Sequence, residues 1–231
     1  MKRLSPIIIL LASVSVALAQ APLSGEEGTL LVARFSEEVG GNGIPQGWKV
    51  KEWNGRADIG IVKDEGKPVL WLKSRGTSTS LYKELTLNIR ELPYLVWRWK
   101  VTRLPLNGDV RKKATDDQAA QIYIVFPGLL SSVSKKISVD SKVLGYIWDT
   151  NAPQGTAVIS KKHLATKYIV VKSGANGLGQ WHTEKRNVYE DYKRLFGEDP
   201  PRTGKIAIMI DSDDTRSLAE CFIGEIYLSK D

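Results

Sequence analysis

Cysteine and histidine are scarce in this chain: Cys221, His163 and His182 are all that 231 residues provide. One cysteine excludes an internal disulfide, and three such residues at irregular spacing exclude a zinc centre of the usual four Cys or His ligands. Cys221 lies in Glu-Cys-Phe-Ile, a strand-like setting that marks the thiol as a buried packing group. No Gly-x-Ser-x-Gly elbow is present, so nucleophilic catalysis also lacks its parts. Gly174-Ala-Asn-Gly-Leu-Gly179 has glycines spaced like a nucleotide-binding loop, but no strand-turn-helix unit surrounds it. There is no internal repeat, low-complexity tract or Pro/Ser/Gly linker that would divide the chain.

Long apolar runs are confined to the N-terminus. Met1-Lys2-Arg3 precedes an apolar stretch that reaches Ala17-Leu18-Ala19, the pattern of a secretory signal peptide with a small-residue cleavage site. The run is shorter than the roughly 20 residues a membrane-spanning helix needs. Residues 1–19 are therefore expected to be removed on export, leaving residues 20–231 as one domain. Export without disulfides suits a bacterial periplasm.

The net charge of +7 becomes +5 without Lys2 and Arg3, since 31 basic residues then face 26 acidic ones. The basic pairs at Lys112-Lys113, Lys135-Lys136 and Lys161-Lys162 have no aromatic residues interleaved in the manner that stacks bases. No nucleic-acid partner is expected. A mild attraction to anionic glycans or lipopolysaccharide is the most that this charge supports.

What the chain does have is two-residue alternation. Leu95, Trp97, Trp99 and Val101 point one way and Arg98 and Lys100 the other; after a polar connection, Ala120, Ile122, Ile124 and Phe126 alternate with Gln121 and Tyr123. Two long strands follow, each needing cover on its apolar side. Strands at intervals of about ten residues, with turn chemistry such as Asp64-Glu65-Gly66-Lys67-Pro68 between them, predict an antiparallel two-sheet β-sandwich or jelly roll. Only Val188 to Phe196 has helical spacing, with Asn187 placed to cap it and Gly197 to stop it.

Several segments resemble a known bacterial family. They are Val96-Trp-Arg-Trp-Lys-Val101, Asp116-Asp117 with Tyr123-Ile-Val-Phe126, Tyr146-Ile-Trp148, Trp181 with Glu184-Lys-Arg-Asn187, Phe196-Gly-Glu198, and Ile208-Met-Ile-Asp211 with Asp213 and Thr215. Together they are similar to domain-of-unknown-function family 3047, across almost the whole mature chain. The resemblance implies an exported, mostly β protein and brings no established activity. Gln121 departs from the basic residue expected before the aliphatic strand, so no salt bridge to Asp116 or Asp117 arises there. The closing strands are also similar to those of galactose-binding-like sandwiches in carbohydrate-binding modules.

The candidate site residues are acids at strand ends and rings near loops. Asp116, Asp117, Asp149, Asp211, Asp213 and Asp214 either gather around a structural Ca²⁺, accept backbone N–H groups in turns, or pair with Arg186, Arg194 and Arg216. Their spacing is not that of an EF-hand loop, and no other cofactor is indicated. Trp97 and Trp99 read as core. Trp148 beside Asp149, and Trp181 beside His182, Glu184 and Arg186, read as platforms on which a sugar ring would stack. The expected function is a non-catalytic binder of carbohydrate or another envelope ligand through Trp148, Trp181, Arg186 and the Asp117/Asp213 region. One alternative is a polysaccharide hydrolase or lyase using two of the acids. Another is an interaction module that docks an envelope protein along a sheet edge.

Overall fold

The computed structural model describes residues 28–36, 43–128 and 141–231. The expected signal peptide and nearly all of the Ser/Lys-rich connection after Gly128 lie outside the described residues.

Two sheets stack face to face because the strands are two-sided. Six strands build one sheet: β1 (Thr29–Ala33), β3 (Asp58–Asp64), β4 (Lys67–Arg75), β6 (Tyr94–Arg103), β11 (His182–Asn187) and β13 (Leu218–Ser229), ordered β11-β6-β13-β4-β3 with β1 also paired to β13. Seven build the other: β2 (Lys49–Asn54), β5 (Ser78–Glu84), β7 (Ala120–Phe126), β8 (Lys142–Asp149), β9 (Ala157–Ile159), β10 (Thr166–Ser173) and β12 (Lys205–Asp211), ordered β2-β5-β12-β7-β8-β10-β9. Among the described residues all pairings are antiparallel except β8 with β10, which run parallel. That single exception is made by the excursion through β9, a three-residue strand too short for alternation to reveal.

Between the sheets lies one apolar layer. Leu95, Trp97, Trp99 and Val101 of β6 meet Ala120, Ile122, Ile124 and Phe126 of β7 and Ile206, Ile208 and Ile210 of β12 in it. Its centre is aromatic. Trp97 packs edge-on to Trp99 at 5.4 Å and stacks on Tyr146 of the facing sheet at 5.2 Å, while Trp99 lies 6.0 Å from Trp148. Each such contact contributes about 0.5–1.5 kcal/mol beyond the area it buries, so these rings tie the two sheets together. Cys221 is fully buried there too.

The β3–β4 hairpin shows why its turn residues are there. Glu65 and Gly66 both take positive φ, 49° and 74°, as a two-residue turn matched to strand twist requires.

The helix α1 (Val188–Phe196) closes one end of the sandwich. Its buried Tyr192 packs on Phe126 at 4.5 Å, and its buried Asp191 receives hydrogen bonds from Tyr146 Oη, Arg186 and Arg194. Asn187 Oδ1 accepts the Glu190 N–H at 3.0 Å, and Gly197 ends the helix in the left-handed region at φ 73°. Asn187→Ala should cost about 1 kcal/mol in urea unfolding, with Asn187→Ser close to wild type; an equal loss from both would remove the cap from the account.

Candidate functional site

Alternation gives the seven-stranded sheet a second face, and its register arranges that face in rows. Lys51, Ser80, Met209 and Gln121 stand abreast across β2, β5, β12 and β7. In the next row Tyr82, Ala207, Tyr123, Gly145 and Tyr168 stand abreast across β5, β12, β7, β8 and β10, followed by Lys205, Val125, Val143 and Thr166. At the other end, Ser78 pairs with Asp211. Asp116 and Gln118, which lead into β7, and Lys162 and His163, from the β9–β10 loop, join the walls. The result is a cleft of about 680 Å³, within the range of small-ligand sites.

Gly145 sets the depth of the floor. A Cβ on it would lie 2.7 Å from both the Tyr123 and Tyr168 rings, so only glycine lets the two tyrosines settle over β8. The rings lie 6.0 Å apart, and Tyr123 Oη donates to Gln121 Oε1. At the rim Trp53 is 52% exposed. Its Nε1 donates to Ser80 Oγ at 3.1 Å, its ring lies 6.4 Å from that of His163, and Lys51 Nζ sits 3.4 Å from its centroid.

The acidic end is tightly partnered. Asp116 and Asp211 are both buried. Burial pushes the Asp116 carboxyl up to about 6, against the Gln118 amide bonded to it at 3.1 Å and the nearby Lys162 cation. Burial pushes Asp211 further, to about 10, helped by the neighbouring Asp213 carboxylate and by the charge of Asp117. Asp117 spends its oxygens on the N–H groups of Asp214 and Thr215, at 3.2 and 2.6 Å. Asp213 accepts from Asn54 Nδ2 at 2.9 Å, and Lys162 Nζ lies 2.5 Å from Asp214 Oδ2. Among the described residues, Asp117, Asp213 and Asp214 are the one group of three carboxylates close enough to share a cation, with oxygens within 4.8 Å of one another. A calcium ion would be drawn from that set, but each member already has a donor from the protein itself.

The site residues expected from the sequence do not converge. Asp116, Asp211 and Asp213 line the cleft, with Asp117 behind them. Trp148 is fully buried, its Nε1 donating to Gly174 O at 3.0 Å, because its position in β8 points between the sheets. Asp149 is buried beside it and accepts the N–H groups of Val110, Asn151 and Ala152, which makes it a loop anchor. Trp181 lies on the outer face of the opposite sheet, its ring 5.0 Å from Arg98 and 5.3 Å from Lys100. Glu184 accepts from Trp99 Nε1 at 3.3 Å at the sandwich edge. Arg186 is held on Asp191 at the helix end, and Arg194 joins it there, so neither arginine pairs with the site acids. Trp53, Tyr82, Tyr123, Tyr168, Lys51, Lys162 and Lys205 were missed. The available signal was the polar and aromatic side of two-faced strands, as in Gln121-x-Tyr123 and Ser78-x-Ser80-x-Tyr82.

Residues 46–227 match the model of a family described as protein of unknown function, DUF3047. The chain belongs to that family. No curated protein sequence matches this DUF3047 protein. By structure it is similar to the family 30 carbohydrate-binding module of the Clostridium thermocellum cellulosomal cellulase Cel9D-Cel44B, with TM-score 0.50, 11% identity and coverage of 88% of this chain and 98% of that one. The family 11 module from Clostridium thermocellum, in complex with a β-1,3-1,4-mixed-linked tetrasaccharide, gives TM-score 0.47, 10% identity and coverage of 87% and 95%. Endoglucanase Cel12A from Rhodothermus marinus gives 0.46, 12%, 85% and 98%. The first of these shows a common two-sheet sandwich fold.

The raised acids have a thermodynamic consequence. An unfolded aspartate loses its proton near pH 3.9, whereas folded Asp116 holds it to about 6 and Asp211 to about 10. Between those limits the folded chain binds more protons than the unfolded one, so stability falls as pH rises. Asp211→Asn keeps a donor toward Asp213 and removes the Asp211 share of this dependence. Its melting temperature should exceed wild type at pH 8, with the gap closing toward pH 4; a gap independent of pH would contradict the assignment.

Proposed function

We propose that this DUF3047 protein is an exported periplasmic protein that binds carbohydrate along the cleft of its seven-stranded sheet. The observation that carries the reading is the row of Tyr82, Tyr123 and Tyr168 across the cleft floor, with Trp53 exposed at its rim. Sugar rings present C–H faces that pack on aromatic planes, and hydroxyls need paired donors and acceptors. Ser80, Gln118, Gln121, Lys162, Asp116 and Asp213 supply those around the rings. The sandwich shared with a carbohydrate-binding module agrees with this reading. The expected signal segment would carry the protein to the compartment where envelope glycans are found.

Calorimetric titration of the mature protein against a panel of envelope and cell-wall oligosaccharides should yield a ligand with tryptophan fluorescence changes. Trp53→Ala should weaken it about tenfold or more, roughly 1.4 kcal/mol, while Trp181→Ala leaves it unchanged. Loss at Trp181 with none at Trp53 would move the site to the opposite sheet.

A second reading, polysaccharide hydrolysis or lysis, rests on Asp116 and Asp211 lining one cleft, with burial raising the proton affinity of each to a different degree. Pairs of carboxyls with separated proton affinities are what acid and base roles require. Incubation with polysaccharide discriminates, because an enzyme releases new reducing ends or unsaturated products that Asp116→Asn abolishes. A binder releases none.

A further inference from the structure

We propose that the glycan taken by this cleft is anionic, with one acidic group of a sugar residue seated between Lys51 and Lys205. This rests on the carbohydrate reading of the same cleft. Both lysines line it, Lys205 in the row farthest from Asp211 and Lys51 in the row next to the Ser78–Asp211 pair. Lys51 Nζ lies 3.4 Å from the Trp53 ring centroid and Lys205 Nζ 4.8 Å from that of Tyr82. Neither has a carboxylate partner among the described residues, although Lys49, on the same strand as Lys51, pairs with Glu84 at 3.4 Å. The cleft's third lysine, Lys162, is likewise matched by Asp214 at 2.5 Å.

Partial burial, and after it the charge of Lys205, lowers the Lys51 proton affinity, as two unmatched ammonium groups near one another repel. Each gains a cation–π contact from its ring but no counter-charge. An anion between them relieves the repulsion and forms charge-assisted hydrogen bonds. The rings beneath the two lysines would meanwhile face the sugar that carries the anion, since Trp53 and Tyr82 both line the cleft. Among the described residues no ion pair joins either lysine to the cleft aspartates; Asp213 accepts from Asn54 and Asp116 from Gln118. Uronate carboxylates and sulfate esters share the required chemistry.

Titration of the mature protein with tetragalacturonate, a sulfated carrageenan tetrasaccharide and cellotetraose separates these sources. At least one anionic probe should bind about tenfold or more tighter than the neutral one. Its affinity should fall between about 0.01 M and about 1 M salt, where screening shortens from roughly 30 Å to roughly 3 Å. Lys51→Met and Lys205→Met keep the apolar stems over the rings and should each reduce anionic binding toward the neutral level, with the melting temperature confirming an intact fold. Neutral binding as tight as anionic, or anionic binding unmoved by both variants, overturns the inference and leaves carbohydrate binding standing. Absence of binding by all three probes and by the wider panel overturns both.

Discussion

A strand that seals a core with every second residue must present the other residues on the opposite face, and the whole molecule follows from how that second face is used. On the six-stranded sheet the outward set is charged and partnered: Arg98 and Lys100 lie against Trp181, and Lys73 pairs with Glu220. On the seven-stranded sheet part of the outward set is covered by loops, where Val110 and Ala152 pack on Ile147, Tyr168 and Val170. The remainder, from β2 across to β10, stays open and carries rings, amides and lysines. The same Gly145 that lets β8 pass beneath two tyrosines makes that open part a recess.

The two ends of the sandwich divide the work. At one end α1 plugs the gap, and buried Asp191 gathers Tyr146 and two partly exposed arginines around its carboxylate. At the other, strand ends deliver Asp116, Asp117, Asp149 and Asp211, and their burial keeps Asp116 and Asp211 protonated beyond the ordinary carboxylate range. Some of those acids are structural: Asp117 and Asp149 fasten loops by accepting backbone N–H groups. Others face the cleft. Acids at a strand end thus serve two purposes that differ only in which way the side chain turns.

Much of the fold was legible because alternation and capping are local. The limits of β7, β12 and α1 coincide with the apolar pattern, and Asn187 and Gly197 act as their residue types dictate. The expected collection of acids at one end of the sandwich was legible for the same reason. The site was less so. Trp148 neighbours Asp149 in sequence, and a loop setting was inferred from that; yet the strand runs through Asp149, and the side-chain period turns Trp148 inward. Trp181 was placed near the acids although β11 pairs with β6, in the sheet remote from them. Which sheet a strand joins depends on non-local pairing, and no local period encodes it. The outward residues of β5, β7 and β12 were individually unremarkable and became a cleft only when the register put them abreast.

The central claim is that ligand binds the open face of the seven-stranded sheet. Backbone and indole NMR shifts recorded during an oligosaccharide titration test it most directly. The account predicts perturbations concentrated at Trp53, Tyr82, Tyr123, Tyr168 and the neighbouring Lys51 and Lys205, with Trp181 and the outer face of the six-stranded sheet silent. Shifts centred on Trp181, Arg98 and Lys100, with the cleft unmoved, would contradict it.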